Sequence, residues 1–231
     1  MAIHLQTEIE RLKRHILSLA ATVEENVALA VRSVQDRNPA LAREVIQTDL
    51  QVDQMEVNIE EECLKILALN QPVAVDLRFI VAVLKLNNDL ERIGDLAVNI
   101  AERTAFLATQ DKIDIPLDFP TMFEKAQAMF RNSLDALINM DSALARHVCA
   151  ADDEVDDLNR QIFVQIKAAI LTHPEWVDSL ISLLSISRLL ERIADHATNI
   201  SEDVIYLVEG VIIRHKTEYF HSLAEEEAAK K

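Results

Sequence analysis

Apolar residues recur every three or four positions along most of the chain, which is the pattern of amphipathic α-helices. The first such run contains Leu5, Ile9, Leu12 and Ile16, and later runs are separated by short segments that contain proline or, at Asp141-Ser142, a helix cap. These breaks predict six helices, over about residues 3–36, 39–70, 72–108, 121–140, 142–171 and 174–215. Only two glycines and five prolines occur, which leaves few residues for the turns of a sheet. We therefore predict an all-α fold.

The chain contains an internal repeat. The segment LERIGDLAVNIAE, from Leu90 to Glu102, returns as LERIADHATNISE from Leu190 to Glu202. A second pair of similar segments, ALAREV from Ala40 and ALARHV from Ala143, lies earlier in each half. Because duplicated sequence folds into duplicated units, we predict two tandem three-helix bundles of spectrin-repeat-like architecture. They are expected over residues 1–110 and 115–215, followed by a polar C-terminal tail at 216–231.

Acidic side chains lie four residues apart in four of the predicted helices, so that each pair shares one helix face. Like charges at this spacing destabilise a helix by about 0.2–0.5 kcal/mol per pair. Their occurrence in both halves suggests a use for clustered carboxylate oxygens. The pairs are Asp49 with Asp53, Glu91 with Asp95, Asp152 with Asp156, and Glu191 with Asp195.

Two short corners, near Gln71 and His173, place these pairs at the same height on antiparallel helices. The pairs are centred 20 residues before and 22 after Gln71, and 19 before and 20 after His173. A mismatch of one or two residues is about 1.5–3 Å along a helix axis. Four such carboxylates must take up protons, pair with nearby Arg92 or Arg192, or bind cations. We predict metal sites; the alternative is a solvated acidic face paired with lysine and arginine.

The ligand atoms restrict the choice of metal. Carboxylate oxygens suit Mg²⁺, Ca²⁺, Mn²⁺ or ferric iron better than zinc, which prefers histidine and cysteine. His196 follows Asp195 but stands where the first copy has Leu96, so we interpret it as a non-ligand. Cys63 and Cys149 align with isoleucines of the other half, which indicates small buried hydrophobic residues rather than a disulfide or a zinc site.

The charge balance limits the classes of partner. The chain has 23 basic and 39 acidic residues and a formal net charge of −16. This disfavours direct binding to nucleic acid or to an anionic membrane surface, and favours cations or basic partners. The N-terminal sequence is polar, without the features of a signal peptide, and the apolar runs are too short to span a bilayer. We therefore expect a cytoplasmic protein that meets membranes only through its partners.

In these residues the chain resembles the PhoU family. The resemblance covers nearly the whole chain and rests on QPVA with DLR from Gln71 to Arg78, on the Leu90–Glu102 segment, and on its second copy. It implies two similar three-helix bundles with E(D)-x-x-x-D motifs that hold multinuclear metal clusters, with iron expected first and Mn, Mg, Ca or Zn as alternatives. The implied metal ligands are Asp49, Asp53, Glu91, Asp95, Asp152, Asp156, Glu191 and Asp195.

The second copy departs from this pattern. Ala194 replaces Gly94, and Asn159 and Phe163 stand where the first half has Glu56 and Glu60. We therefore expect the second site to bind fewer metal ions or to bind them more weakly.

The resemblance also implies a function. It is that of a non-enzymatic negative regulator of phosphate uptake and of the phosphate-starvation response, a homodimeric adaptor between phosphate transporter subunits and a sensor histidine kinase. The alternative is a metal-dependent phosphohydrolase that uses the carboxylate clusters. A carboxylate-bridged iron oxidase is disfavoured, because the acidic helices lack the Glu-x-x-His pair of ferritin-like bundles. A metal-free helical scaffold is the third reading.

Overall fold

The computed structural model describes residues 2–211, and the side chains of residues 4–211. The predicted tail at 216–231 lies outside the described residues. Within the described part the chain forms six α-helices and one short 3₁₀ helix. They are α1 (Ala2–Gln35), α2 (Pro39–Asn70), α3 (Ala74–Leu107), α4 (Phe119–Asn139), α5 (Ser142–Thr172), the 3₁₀ helix Pro174–Trp176, and α6 (Val177–Glu209). The prediction of an all-α fold with two three-helix bundles is confirmed.

Side-chain caps fix where three of the helices begin. The Asn38 side chain accepts a hydrogen bond from the backbone N–H of Ala40, and Pro39 is the first residue of α2. The carboxylate of Asp141 accepts from the N–H groups of Ala143 and Leu144 at 2.9 and 3.0 Å. Asp118 caps α4 in the same way. Each cap stabilises its helix by about 1 kcal/mol, because it pairs an N–H group that has no partner inside the helix.

The helix ends differ from the predictions at the corners. Gln71 and Ala74 have φ values of 45° and 50°, in the left-handed region, so α3 begins at Ala74 and not at residue 72. The helix predicted over 174–215 begins at Val177 after the 3₁₀ turn and ends at Glu209. It ends there because Gly210, with φ 73°, adopts the left-handed conformation that terminates helices. The predicted end at 215 was wrong because the apolar pattern continues across this glycine.

The helices form two groups that share one core. The helices α1, α2 and α3 contact one another, α4 and α5 both pack on α6 and on each other, and α3 packs against α6 between the groups. Helix α1 also touches α4. Buried side chains from all six helices form a continuous hydrophobic cluster, which supplies the main stabilising term of the fold. The domain boundaries drawn from the sequence, 1–110 and 115–215, stay a prediction.

Polar contacts cross the seam between α3 and α6. Lys85 Nζ lies 3.2 Å from Asp203 Oδ1, and His196 Nδ1 lies 2.8 Å from Asp89 Oδ1. Partner numbers on α6 fall as numbers on α3 rise, so the two helices run antiparallel and the two corners lie at opposite ends of the molecule. The equivalents of Asp89 and His196 in the other half are Leu189 and Leu96, so this pair is not repeated.

The two cysteines are free thiols. Cys63 is fully buried, and Cys149 is partly buried with its sulfur 3.9 Å from the carbonyl oxygen of Thr198. Burial raises the pKa of both thiols to about 12. The interpretation as buried apolar groups is confirmed for Cys63 and holds in part for Cys149.

None of the six α-helices in residues 2–211 is both long enough and apolar enough to cross a membrane.

Candidate metal centres

The first candidate centre lies between α2 and α3, beside Gly94 of α3. A methyl group added at Gly94 would lie 3.2 Å from Val52 Cγ1 and 3.4 Å from Asp49 Oδ1. The contact with Val52 would be tight, whereas the contact with the Asp49 carboxylate would be at ordinary van der Waals distance, so Gly94 lies beside both side chains. In the second half the equivalent residue is Ala194, which is fully buried.

The acidic side chains of the first half influence one another across the two helices. The pKa of Asp49 is raised to about 6, first by burial and then by the negative charges of Asp53 and Asp95. The pKa of Glu91 is also raised, by burial and by Asp95, while Arg92 opposes this rise. The structure thus brings the four predicted residues of this half into one electrostatic cluster.

The second half repeats the arrangement with a stronger effect. The pKa of Asp152 is raised to about 7 by burial, by Asp195 and Asp156, and to a smaller extent by Asp153 and Glu191. Burial is also the main cause of the raised pKa values of Asp195 and Glu191, and Asp156 adds to both. The second half therefore favours the protonated form of Asp152 more strongly than the first half favours that of Asp49.

The structure adds Glu56 to the edge of the first cluster. Its pKa is raised by burial, then by Glu60 and Asp53. The buried Asn87 donates from Nδ2 to the Glu56 carbonyl oxygen at 2.9 Å and to its carboxylate at 3.3 Å. Glu56 was visible in the sequence as part of the acidic row of α2 but was not predicted as a ligand. The hydrogen bonds from Asn87 to Glu56 could not be predicted from the sequence, because they depend on the contact between α2 and α3.

A neutral pair replaces this contact in the second half. Ser187 donates to Asn159 Oδ1 at 2.5 Å, where the first half has Asn87 and Glu56. The second cluster consequently has one carboxylate fewer at this edge.

The donor chemistry of both clusters fits hard cations. Every predicted ligand offers carboxylate oxygen, and a bound cation would offset the burial and the repulsion that together raise the pKa values of Asp49 and Asp152. Among residues 4–211, however, no three histidine, cysteine, aspartate or glutamate side chains already form a ligand set for a metal ion. The eight ligands named from the sequence stay a prediction.

Comparison with known proteins gives a consistent set of similarities. The model of the PhoU domain family matches residues 16–104 and 119–204. A phosphate-specific transport system accessory protein PhoU homolog from Pseudomonas putida is 37% identical over 209 residues, covering 90% of this chain and 82% of that protein. The homolog of the same name from Aquifex aeolicus is 38% identical, covering 90% of this chain and 95% of its own length.

Solved structures agree with these matches. The crystal structure of PhoU from Pseudomonas aeruginosa is similar with a TM-score of 0.87 and 36% identity, covering 89% of this chain and 99% of that one. The phosphate transport system regulatory protein PhoU from Streptococcus pneumoniae gives a TM-score of 0.79 and 25% identity, covering 90% and 98% of the two chains.

Proposed function

Because this chain belongs to the PhoU family, we propose that it is a negative regulator of phosphate uptake and of the phosphate-starvation response. Its relatives are named accessory proteins of phosphate-specific transport, which supports a role in regulating phosphate transport. The regulator acts in the cytoplasm by binding phosphate transporter subunits and a sensor histidine kinase, and it does so as a non-enzymatic homodimer.

The observation that supports a metal-dependent adaptor is the duplicated carboxylate cluster. Burial and the neighbouring acidic charges raise the pKa values of Asp49 in the first half and of Asp152 in the second, and a bound cation would relieve both clusters. Asp49, Asp53, Glu91 and Asp95 hold the metal of the first half, with iron as the first choice. Asp152, Asp156, Glu191 and Asp195 hold the metal of the second half. The acidic surface also suits the basic cytoplasmic loops of a transporter.

A deletion strain tests the regulatory role. Loss of the gene should raise phosphate uptake and keep the starvation response active when phosphate is abundant, and the intact gene should restore both. An allele with Glu91→Ala and Asp95→Ala should fail to restore them, whereas Asp114→Asn, on an exposed loop residue, should succeed. Normal uptake and normal starvation-gene expression in the deletion strain would remove the proposal.

Metal analysis tests the clusters independently of the cell. Protein purified without chelator should contain bound metal, and Glu91→Ala with Asp95→Ala should lower its amount while leaving the helix content unchanged. Glu191→Ala with Asp195→Ala should lower the amount of metal bound by the second half. Metal content that none of these changes alters would place the metal elsewhere.

The carboxylate clusters also leave metal-dependent phosphohydrolysis as a second function, in which metal ions held by the clusters would activate a water molecule. Turnover of a phosphate ester by the purified protein, lost with Asp152→Asn, would support this function. If the metal-loaded protein does not turn over a phosphate ester, regulation remains as the only proposed function.

A further inference from the structure

A row of exposed apolar side chains runs along the outer face of α2. Ile46, Leu50, Val57 and Leu64 are 37, 75, 45 and 54% exposed. Leu50, Val57 and Leu64 are spaced seven residues apart, which is nearly two helical turns, so their side chains lie almost in line along the helix. We call these four residues the α2 row. It is about 27 Å long, at 1.5 Å per residue over 18 residues.

The sister helix shows that the fold does not require apolar residues at these positions. The repeat places Cys149, Asp153, Arg160 and Lys167 of α5 where α2 has the row. The two helices share their core positions and their acidic pairs but not this face. Single exposed apolar residues are common on protein surfaces, whereas a row with heptad spacing is typical of a helix that packs against another helix.

The two edges of the α2 row differ in charge. The edge toward α3 carries the exposed carboxylates of Asp53 and Glu60. The other edge is mixed: Gln54 and Asn58 are neutral and hydrogen-bond to each other at 3.1 Å, and the exposed Glu61 and Lys65 carry opposite charges. A helix that covers the row therefore meets a net negative charge along the Asp53 edge and a balanced edge on the other side.

This charge distribution decides between two kinds of occupant. A second copy of the chain, paired antiparallel through the same row, would bring Asp53 and Glu60 of both chains to the same side. A helix with lysine or arginine along one edge would instead gain favourable charge contacts.

We propose that the α2 row is a docking site for an amphipathic helix of a partner protein. The partner helix presents leucine, isoleucine or valine at heptad positions, and lysine or arginine along the edge that faces Asp53 and Glu60. This recognition follows the common mode in which the apolar face of a helix packs on an apolar surface. The inference goes beyond the proposed function, because it requires neither bound metal nor phosphate.

Two synthetic peptides of about 20 residues, enough to cover the row at 1.5 Å per residue, test the proposal. Both carry leucine at the heptad positions; one has lysine along the edge and the other has glutamate. Their binding to the full-length protein is measured by fluorescence anisotropy with EDTA present, so that the result does not depend on metal. We expect the lysine peptide to bind at least about tenfold more tightly than the glutamate peptide.

Variants of the row identify the surface. The combination Leu50→Gln, Val57→Thr and Leu64→Gln keeps the net charge and should weaken binding of the lysine peptide by at least about tenfold. The matched control, Val164→Thr with Leu171→Gln, removes exposed apolar groups from α5 and should bind as the parent does. Leu50→Gln alone should give an intermediate loss, which keeps the test valid if the triple variant unfolds.

Three results would overturn the proposal. The row variants could bind the lysine peptide as tightly as the parent, or both peptides could bind equally well. Sedimentation equilibrium could also show a parent dimer that the triple variant abolishes, in which case a second copy of the chain occupies the row.

Discussion

Replacing Asp152 by asparagine should stabilise the metal-free protein above neutral pH. In the folded protein burial and the neighbouring acids raise the pKa of this carboxyl group from the usual 3.8 to about 7. Above pH 7 the folded protein must therefore hold an unfavourable negative charge, which the unfolded chain holds without cost. Asparagine has nearly the same shape and no charge, so the variant avoids this penalty.

The sign and the size follow from proton linkage. The folded protein binds the Asp152 proton more tightly than the unfolded chain, so this stabilisation is complete below about pH 4 and is lost as pH rises through about 7. A tenfold change in the acid constant is about 1.4 kcal/mol, which gives a ceiling of about 4 kcal/mol. Because the side chain is partly exposed, solvent screening reduces the expected effect to about 1–2 kcal/mol.

Urea unfolding in EDTA, followed by far-UV circular dichroism at pH 5 and pH 8, measures this effect. The parent should lose stability between the two pH values, and Asp152→Asn should lose about 1–2 kcal/mol less. Asp114→Asn makes the same charge change on an exposed loop residue and should follow the parent. If Asp152→Asn also follows the parent, the electrostatic account of the second cluster is incorrect.

Three further changes test other parts of the structure. Gly94→Ala should weaken metal binding by the first half, because the new methyl group would lie 3.2 Å from the buried Val52; titration of metal-free protein with Mn²⁺ would show no change if this is incorrect. Cys63, buried and with its pKa raised to about 12, should react with a thiol reagent only after urea unfolding, and fast labelling of the folded protein would contradict its burial. Lys85→Met should cost about 2 kcal/mol in urea unfolding, because it removes the charged hydrogen bond to the buried Asp203, and an unchanged midpoint would show that this contact does not hold the halves together.

The sequence was sufficient to predict the helices because their apolar periodicity is strong and occurs twice. The corners were harder to predict, because their shape depends on backbone angles. Gln71 and Ala74 adopt left-handed backbone conformations although neither is glycine, so the sequence did not indicate that α3 begins at residue 74. At the end of α6 a glycine is present, but apolar residues continue on both sides of Gly210. The apolar pattern therefore extended the predicted helix past its observed end.

The acidic site could be predicted in part from the positions of its residues along the helices. Residues at equal distance from a corner lie at the same height, so the convergence of Asp49 with Asp95 could be expected from counting alone. Contacts that depend on side-chain direction between helices could not be counted in this way. The hydrogen bonds of Asn87 to Glu56, and the pair formed by Asp89 and His196, belong to this second class.

A comparison of the two halves shows which residues the three-helix bundle itself requires and which are explained only by contacts outside that bundle. Both halves satisfy similar core packing, so an exposed position that is apolar in one half and charged in the other is not explained by its own bundle. The seam between α3 and α6 accounts for Asp89 and His196, whose equivalents are both leucine. No contact among the described residues accounts in this way for Leu50, which is 75% exposed and has Asp153 as its equivalent. The α2 row is therefore the surface on which a partner from outside this chain should be sought first.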